Sequence, residues 1–270
     1  MKLSVTAWSF PALTMKEVGG LAEVLSIPAV DIGLFYASAL DKARVVSDPE
    51  AYGREVREAL PVEVANYYHL FGDGLAGRNL ALPSDPENMK DCKAALSFAK
   101  AAGAPTVFVL PGMVNPGQSR KQALDQSVEN LKPMVAAGQE IGVTLTVEPH
   151  THGLLESVEM THEMVNRVPG LKLALDPAHY LTLGYRQDEI ETLCPHTGHV
   201  HLRQGRPGVL QAKMDEGTLN FPAFFGALRD AGYDGWLAIE YVHQAYMNTV
   251  FDDVLTETVR MRDTFNAWNA

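Results

Sequence analysis

Leu171-Lys172-Leu173-Ala174-Leu175-Asp176-Pro177-Ala178-His179 is the stretch on which the fold reading turns. A short apolar run stops abruptly on an acid, and the pattern recurs along the chain. Residues 143–148 end in Val147-Glu148, followed by Pro149-His150, and residues 236–241 carry Ala238-Ile239-Glu240-Tyr241. Residues 198–203 hold His199-Val200-His201 in the same kind of run. Upstream, residues 3–8, 30–35, 62–66 and 105–110 are also short and apolar or β-branched. Near-continuous apolar runs of this length suit parallel strands covered on both faces.

Helical patterns separate these runs. Ser47-Asp48-Pro49-Glu50 and Ser84-Asp85-Pro86-Glu87 are the same tetrapeptide, with Asp able to accept from free backbone N–H groups and Pro suited to the first helical position. The second helix is expected to run to Ala102 and stop at Gly103. In a helix over 119–140, Leu124, Val128, Leu131 and Val135 share one face, and Pro133 predicts a kink or break. Further helices are expected over Phe221–Ala231 and Thr249–Phe265.

Strand and helix alternating eight times predict an α/β fold, a closed (β/α)8 barrel occupying residues 1–270 as one domain. Such a barrel needs roughly 250 residues. An open doubly wound sheet is the competing architecture. The chain carries no GxGxxG after a strand, which weakens that alternative and argues against a dinucleotide.

Barrel active sites lie at the C-terminal ends of the strands. Glu148, Asp176, His201 and Glu240 stand at those ends on four consecutive strands. Three buried acids repel one another and are costly unpaired, and a divalent cation resolves both problems. Carboxylates with one imidazole suit octahedral Mn²⁺ or Mg²⁺, and Zn²⁺ or Co²⁺ would also fit. His199 and His201 share a side-chain phase, and His201 is nearer the strand end. Seven of the nine histidines (69, 150, 152, 179, 199, 201 and 243) fall within or just after a strand end. Trp8, Phe10 and Phe35 follow strands one and two; core or loop packing is the expected role of each taken singly, and an apolar wall against a substrate's carbon face is the alternative.

These motifs resemble the xylose-isomerase-like barrel superfamily of sugar phosphate isomerases and epimerases. The resemblance extends through Glu216-Gly217-Thr218-Leu219-Asn220-Phe221-Pro222, Gly232-Tyr233-Asp234-Gly235 and Ile239-Glu240. It implies that Glu148, Asp176, His201 and Glu240 bind one divalent metal ion, and that Glu148 and Glu240 double as the acid/base pair. It implies substrate contacts from His179 and, by a looser match, Arg206, with His69 and Trp8 as further substrate-binding candidates. Gln204 departs from the pattern, since many relatives carry an acid there.

The implied function is a metal-dependent isomerase or epimerase that moves a proton beside the carbonyl of a small sugar, keto-acid or related polyol, through a metal-stabilised enediolate. A dehydratase or lyase on a keto-sugar or keto-inositol is the alternative, with His150, His152, His179 or His243 as the added acid. A non-catalytic barrel would be expected to lose a ligand, and all four are present.

With 22 Lys+Arg against 33 Asp+Glu, the net charge of −11 disfavours a nucleic-acid backbone or an anionic membrane as partner. The zinc endonucleases of the same superfamily require an Asp-x-His after strand seven, where this chain reads Gln211-Ala212-Lys213-Met214-Asp215. Cys92 and Cys194 are expected to be reduced thiols of a cytoplasmic protein. A small carbohydrate is the expected ligand, and the resemblance implies a homo-oligomer.

Overall fold

The computed structural model describes residues 1–34, 40–245, 249–250 and 253–270. The strands are β1 (Lys2–Thr6), β2 (Ala29–Gly33), β3 (Glu63–Tyr68), β4 (Thr106–Val109), β5 (Thr144–Val147), β6 (Lys172–Leu175), β7 (Thr197–Leu202), β8 (Gln204–Arg206), β9 (Val209–Ala212) and β10 (Trp236–Ile239). Eight of them close into a parallel barrel in the order β1-β10-β7-β6-β5-β4-β3-β2, while β8 and β9 form a separate antiparallel pair. Closure comes from β1 pairing with β10, Leu3 opposite Leu237 and Val5 opposite Ile239. The helices are α1 (Met15–Val24), α2 (Lys42–Ser47), α3 (Pro49–Ala59), α4 (Pro86–Ala102), α5 (Arg120–Ile141), α6 (Val158–Arg167), α7 (Pro177–Thr182), α8 (Gln187–Glu191), α9 (Phe221–Asp230) and α10 (Val254–Asn269).

The expected barrel is thus present, with all eight strands where the apolar runs lie. The β8–β9 hairpin is an addition that the apolar pattern did not announce. Its role is positional: Gln211 on β9 donates to the Val242 carbonyl at 2.8 Å and accepts from the Val242 N–H at 2.9 Å. The hairpin is thereby fastened to the chain leaving β10.

The twin tetrapeptides behave differently. Asp85 caps α4 by accepting from Glu87 N at 2.9 Å, and Gly103 ends that helix at φ 83°. Asp48 makes no side-chain cap, because it also terminates α2, its N–H donating to the Arg44 carbonyl. Pro133 causes no break: α5 runs through it for 22 residues. Pro133 and Glu129, whose carbonyl loses its partner, both face solvent, so water can satisfy the freed group. The last helix begins at Val254, later than its pattern suggested, after Thr249 bridges Gln244.

Apolar residues from outward strand positions and the inner faces of the helices make the main core, which includes Leu96, Phe98, Leu131, Phe224 and Phe225. Helices α3 and α4 approach closely at Gly53, where an added Cβ would sit 2.5 Å from the Phe98 carbonyl oxygen and 2.7 Å from Ala101 Cβ. At Gly226 on α9 an added Cβ meets no described atom within 4 Å. Gly53→Ala is therefore expected to destabilise the fold by about 1–3 kcal/mol through overpacking. Gly226→Ala is expected to stabilise it by roughly 0.5–1 kcal/mol through helix propensity. Urea denaturation of the two variants checks the contrast.

Candidate active site

The C-terminal ends of β5, β6, β7 and β10 bring Glu148, Asp176, His201 and Glu240 into one buried polar cluster. Their exposures are 5, 0, 0 and 7%. Glu148 Oε1 lies 2.7 Å from His201 Nδ1, and Glu240 Oε2 lies 3.4 Å from the same nitrogen. One atom each from Glu148, His201 and Glu240 falls within 4.8 Å of the others, as a metal site requires.

Asp176 is placed differently from the other three. Its Oδ1 caps α7 by accepting from Ala178 N at 2.9 Å, and its Oδ2 ion-pairs with Arg203 Nη2 at 2.6 Å. The same guanidinium nitrogen lies 3.4 Å from Glu240 Oε2 and donates to His179 Nε2 at 3.0 Å. On the far side of the ring, His179 Nδ1 lies 3.1 Å from Thr151 Oγ1 and 3.3 Å from the Thr151 backbone nitrogen. Arg203 itself is 5% exposed and lies inside the cluster.

These contacts separate the two glutamates. Burial pushes the Glu148 carboxyl up to about 7, His201 opposing that rise and the charges of Glu240 and Asp176 adding to it. For Glu240, burial also acts upward, but Arg203, His201 and the Trp8 N–H outweigh it and hold the carboxyl below its ordinary value. Trp8 Nε1 donates to Glu240 Oε1 at 2.7 Å, leaving Oε2 without a hydrogen-bond partner among the described residues. Burial drives His150 down to about 4 and His179 well below the ordinary histidine value. The two rings lie 3.9 Å apart, centroid to centroid.

Of the remaining sequence candidates, Trp8 and His179 belong to the site, whereas His69 and Arg206 do not join it. His69 shares its strand phase with Tyr67, which packs on Phe98 of α4, so both face outward from the barrel. The His69 ring rests against Tyr67 and Phe71. Arg206 is exposed on the β8–β9 hairpin. Phe10 packs on the main core, the role expected of it, and Phe35 lies outside the described residues. The aromatic wall consists of Trp8, Tyr68 and Phe108, with Tyr68 and Phe108 stacked at 4.4 Å and Phe108 edge-on to His201 at 5.1 Å.

Arg203 had a readable signal, being two residues beyond His201 and so in the same inward phase. Asp31, fully buried on β2, also reaches the cluster from below, with Oδ2 3.8 Å from His201 Nε2. An acid inside the apolar run Ala29-Val30-Asp31-Ile32 was its signal. A narrow cleft of about 20 Å³ opens onto Glu148, His150, Arg203 and Glu240, with Trp8, Phe108, Leu210 and Val242 on its apolar side.

Residues 36–258, more than half of the chain, match the family described as xylose isomerase-like TIM barrel. The chain belongs to that family. It is 28% identical over 172 residues to a 2-oxo-tetronate isomerase of Pectobacterium atrosepticum, an alignment covering 60% of this chain and 64% of that protein. It is 27% identical over 164 residues to a putative hydroxypyruvate isomerase of Mus musculus, covering 54% and 57%. The chain thus spans less than two thirds of the length of either relative. Its fold superposes on a D-tagatose 3-epimerase-like protein with TM-score 0.73 at 20% identity, covering 100% of this chain and 98% of that one. Among the described residues no helix is long and apolar enough to cross a membrane.

The donor set fits a divalent cation: two carboxylate oxygens and an imidazole nitrogen converge, and buried Glu240 Oε2 lacks a hydrogen-bond partner among the described residues. Arg203 is the cation these acids already hold. Arg203→Gln is expected to destabilise the metal-free protein by about 3–5 kcal/mol, because it strips one partner from a buried ion pair. Added Mn²⁺ should then raise the Tm of the variant more than that of the wild type, and thermal melts with and without Mn²⁺ check both effects.

Proposed function

We propose that this chain is a divalent-metal-dependent isomerase or epimerase that relocates a proton beside the carbonyl of a small 2-oxo acid or sugar. The observation that carries the reading is the pair Glu148 and Glu240, both within 3.4 Å of His201 Nδ1 and pushed toward opposite protonation states. Two neighbouring carboxyl groups with separated pKa values are what an acid and a base acting together require. The names of the two isomerases matched in sequence support the substrate class.

Glu148, His201 and Glu240 would hold the metal, with Asp176 alongside on Arg203. The oxygen-rich set suits Mn²⁺ or Mg²⁺. Bound there, the ion would act as a Lewis acid on a substrate carbonyl oxygen and so acidify the adjacent C–H.

The protein's own groups then divide the work. Glu240 is held ionised by Arg203, His201 and the Trp8 N–H and would be the carboxylate that takes a proton from carbon. Glu148, the second carboxyl of the pair, is placed to return one. Delivery to the opposite face of the same carbon gives an epimer, and delivery to the neighbouring carbon gives an isomer. Arg203 stabilises negative charge that develops on the substrate oxygens as the proton leaves. Elimination of water would need a further acid at a leaving group. His150 and His179 are the nearest candidates, and burial keeps both neutral, which favours proton relocation.

Incubation in D₂O with small 2-oxo acids and ketoses, followed by NMR, is expected to show deuterium entering beside the carbonyl without loss of water. Chelation should abolish the exchange. Glu148→Gln and Glu240→Gln should each lower turnover by about 10²–10⁴-fold. Full turnover in both variants would overturn the acid/base assignment, and release of water would point to a dehydratase.

A further inference from the structure

The barrel interior beneath the acid cluster is polar where such barrels are ordinarily filled with branched apolar side chains. Asp31 is its hub. Ser4 Oγ donates to Asp31 Oδ1 at 2.7 Å, Asn66 Nδ2 donates to Oδ2 at 3.2 Å, and His199 Nε2 meets Oδ2 at 2.6 Å. Thr106 Oγ1 donates to Asn66 Oδ1 at 2.8 Å, which fixes the Asn66 amide with its NH₂ toward Asp31. All these groups are at least nine-tenths buried.

Oδ2 of Asp31 also lies 3.8 Å from His201 Nε2, a nitrogen with no hydrogen-bond partner among the described residues. The opposite nitrogen of that ring, Nδ1, faces Glu148 and Glu240. A neutral imidazole carries a single proton, so whichever nitrogen holds it decides which one presents a lone pair. We propose that Asp31 is a positioning residue that draws the His201 proton to Nε2, so that Nδ1 presents its lone pair to the cation held by Glu148 and Glu240. The inference rests on the metal reading of the preceding subsection for its purpose, and on the geometry of Asp31 for its content.

A carboxylate behind a metal-bound histidine orients the ring and raises its basicity, and losing such a partner costs about 10–100-fold in metal affinity. Here the carboxylate is itself locked. Ser4, Asn66 and His199 converge on it from β1, β3 and β7, so its charge is fixed in place 3.8 Å from His201 Nε2. His199 shares Oδ2 with His201 and so takes part as an anchor for Asp31.

Asp31→Asn keeps the volume and removes the charge. Mn²⁺ titration calorimetry of this variant is expected to give a Kd raised about 10–100-fold, measured per folded molecule alongside the Tm of the metal-free protein. A purely structural role would lower the Tm and leave the Kd within twofold, which would overturn the proposal. A second measurement needs no variant. In ¹⁵N-histidine-labelled wild-type protein loaded with Mg²⁺, His201 is expected to bind through Nδ1 and to carry an exchange-protected proton on Nε2, and an unprotonated or metal-bound Nε2 would overturn the proposal even if Asp31→Asn fails to fold. Should the wild type bind no Mn²⁺, the metal reading itself fails, an outcome distinct from metal binding that Asp31→Asn leaves unchanged.

Discussion

Three carboxylates, from Glu148, Asp176 and Glu240, share one nearly dry pocket at the mouth of the barrel, and much of the surrounding structure answers that constraint. Burying even one unpaired charge costs several kcal/mol after relaxation. Arg203 is the first answer, its guanidinium reaching Asp176 and Glu240 from the exit of β7. His201, whose pKa Glu240 and Glu148 raise well above the ordinary value against the opposing effect of burial, is the second. A divalent ion beside a neutral His201, together with Arg203, would bring the three acids to formal neutrality. With a proton on His201 in place of the ion, the same set is left with one uncompensated formal negative charge.

The constraint extends into the barrel. His199 and His201 point inward on alternate residues of β7, so an imidazole must sit in the layer below the acids as well as among them. Asp31 answers the lower one. Burial alone would raise its pKa, yet His199 and His201 hold it well below the ordinary carboxylate value. The lumen consequently contributes less apolar burial than in a barrel filled with branched side chains. Stability is carried by the layer outside the strands, where Tyr67, Phe98, Phe224 and Phe225 are almost completely buried between sheet and helices.

The barrel was legible because parallel strands covered on both faces read as apolar runs, and because Pro133 sat on a solvated face where its missing N–H changes little. The four strand-end residues were legible for the same reason: an acid or histidine closing such a run has few structural explanations. What escaped the sequence depended on side-chain direction and reach. His69 follows a strand end like the others, yet one step of strand phase turns it outward against Phe71. Arg206 and Arg203 are equivalent in a list of nearby cations, but only Arg203 lies in phase with His201, and the hairpin carries Arg206 into solvent. Asp176 looked like Glu148 and Glu240 in sequence. The adjoining Pro177-Ala178 starts a helix that takes one of its oxygens as a cap, and Arg203 takes the other.

The cleft that results has a lining of two kinds. Trp8, Phe108 and Val242 offer apolar surface, and Glu148, His150, Arg203 and Glu240 offer polar groups. Trp8 belongs to both, its ring in the aromatic cluster and its N–H on Glu240. A ligand that presents C–H groups on one face and oxygens along an edge satisfies both linings at once, whereas a wholly apolar ligand would leave the buried charges without partners and a wholly polar one would desolvate against the rings. The indole therefore ties the two linings together: its N–H occupies Oε1 of Glu240 while its ring packs with Tyr68 and Phe108, so under the proposed roles the residue that would meet a ligand's carbon face would also orient the carboxylate that acts on it.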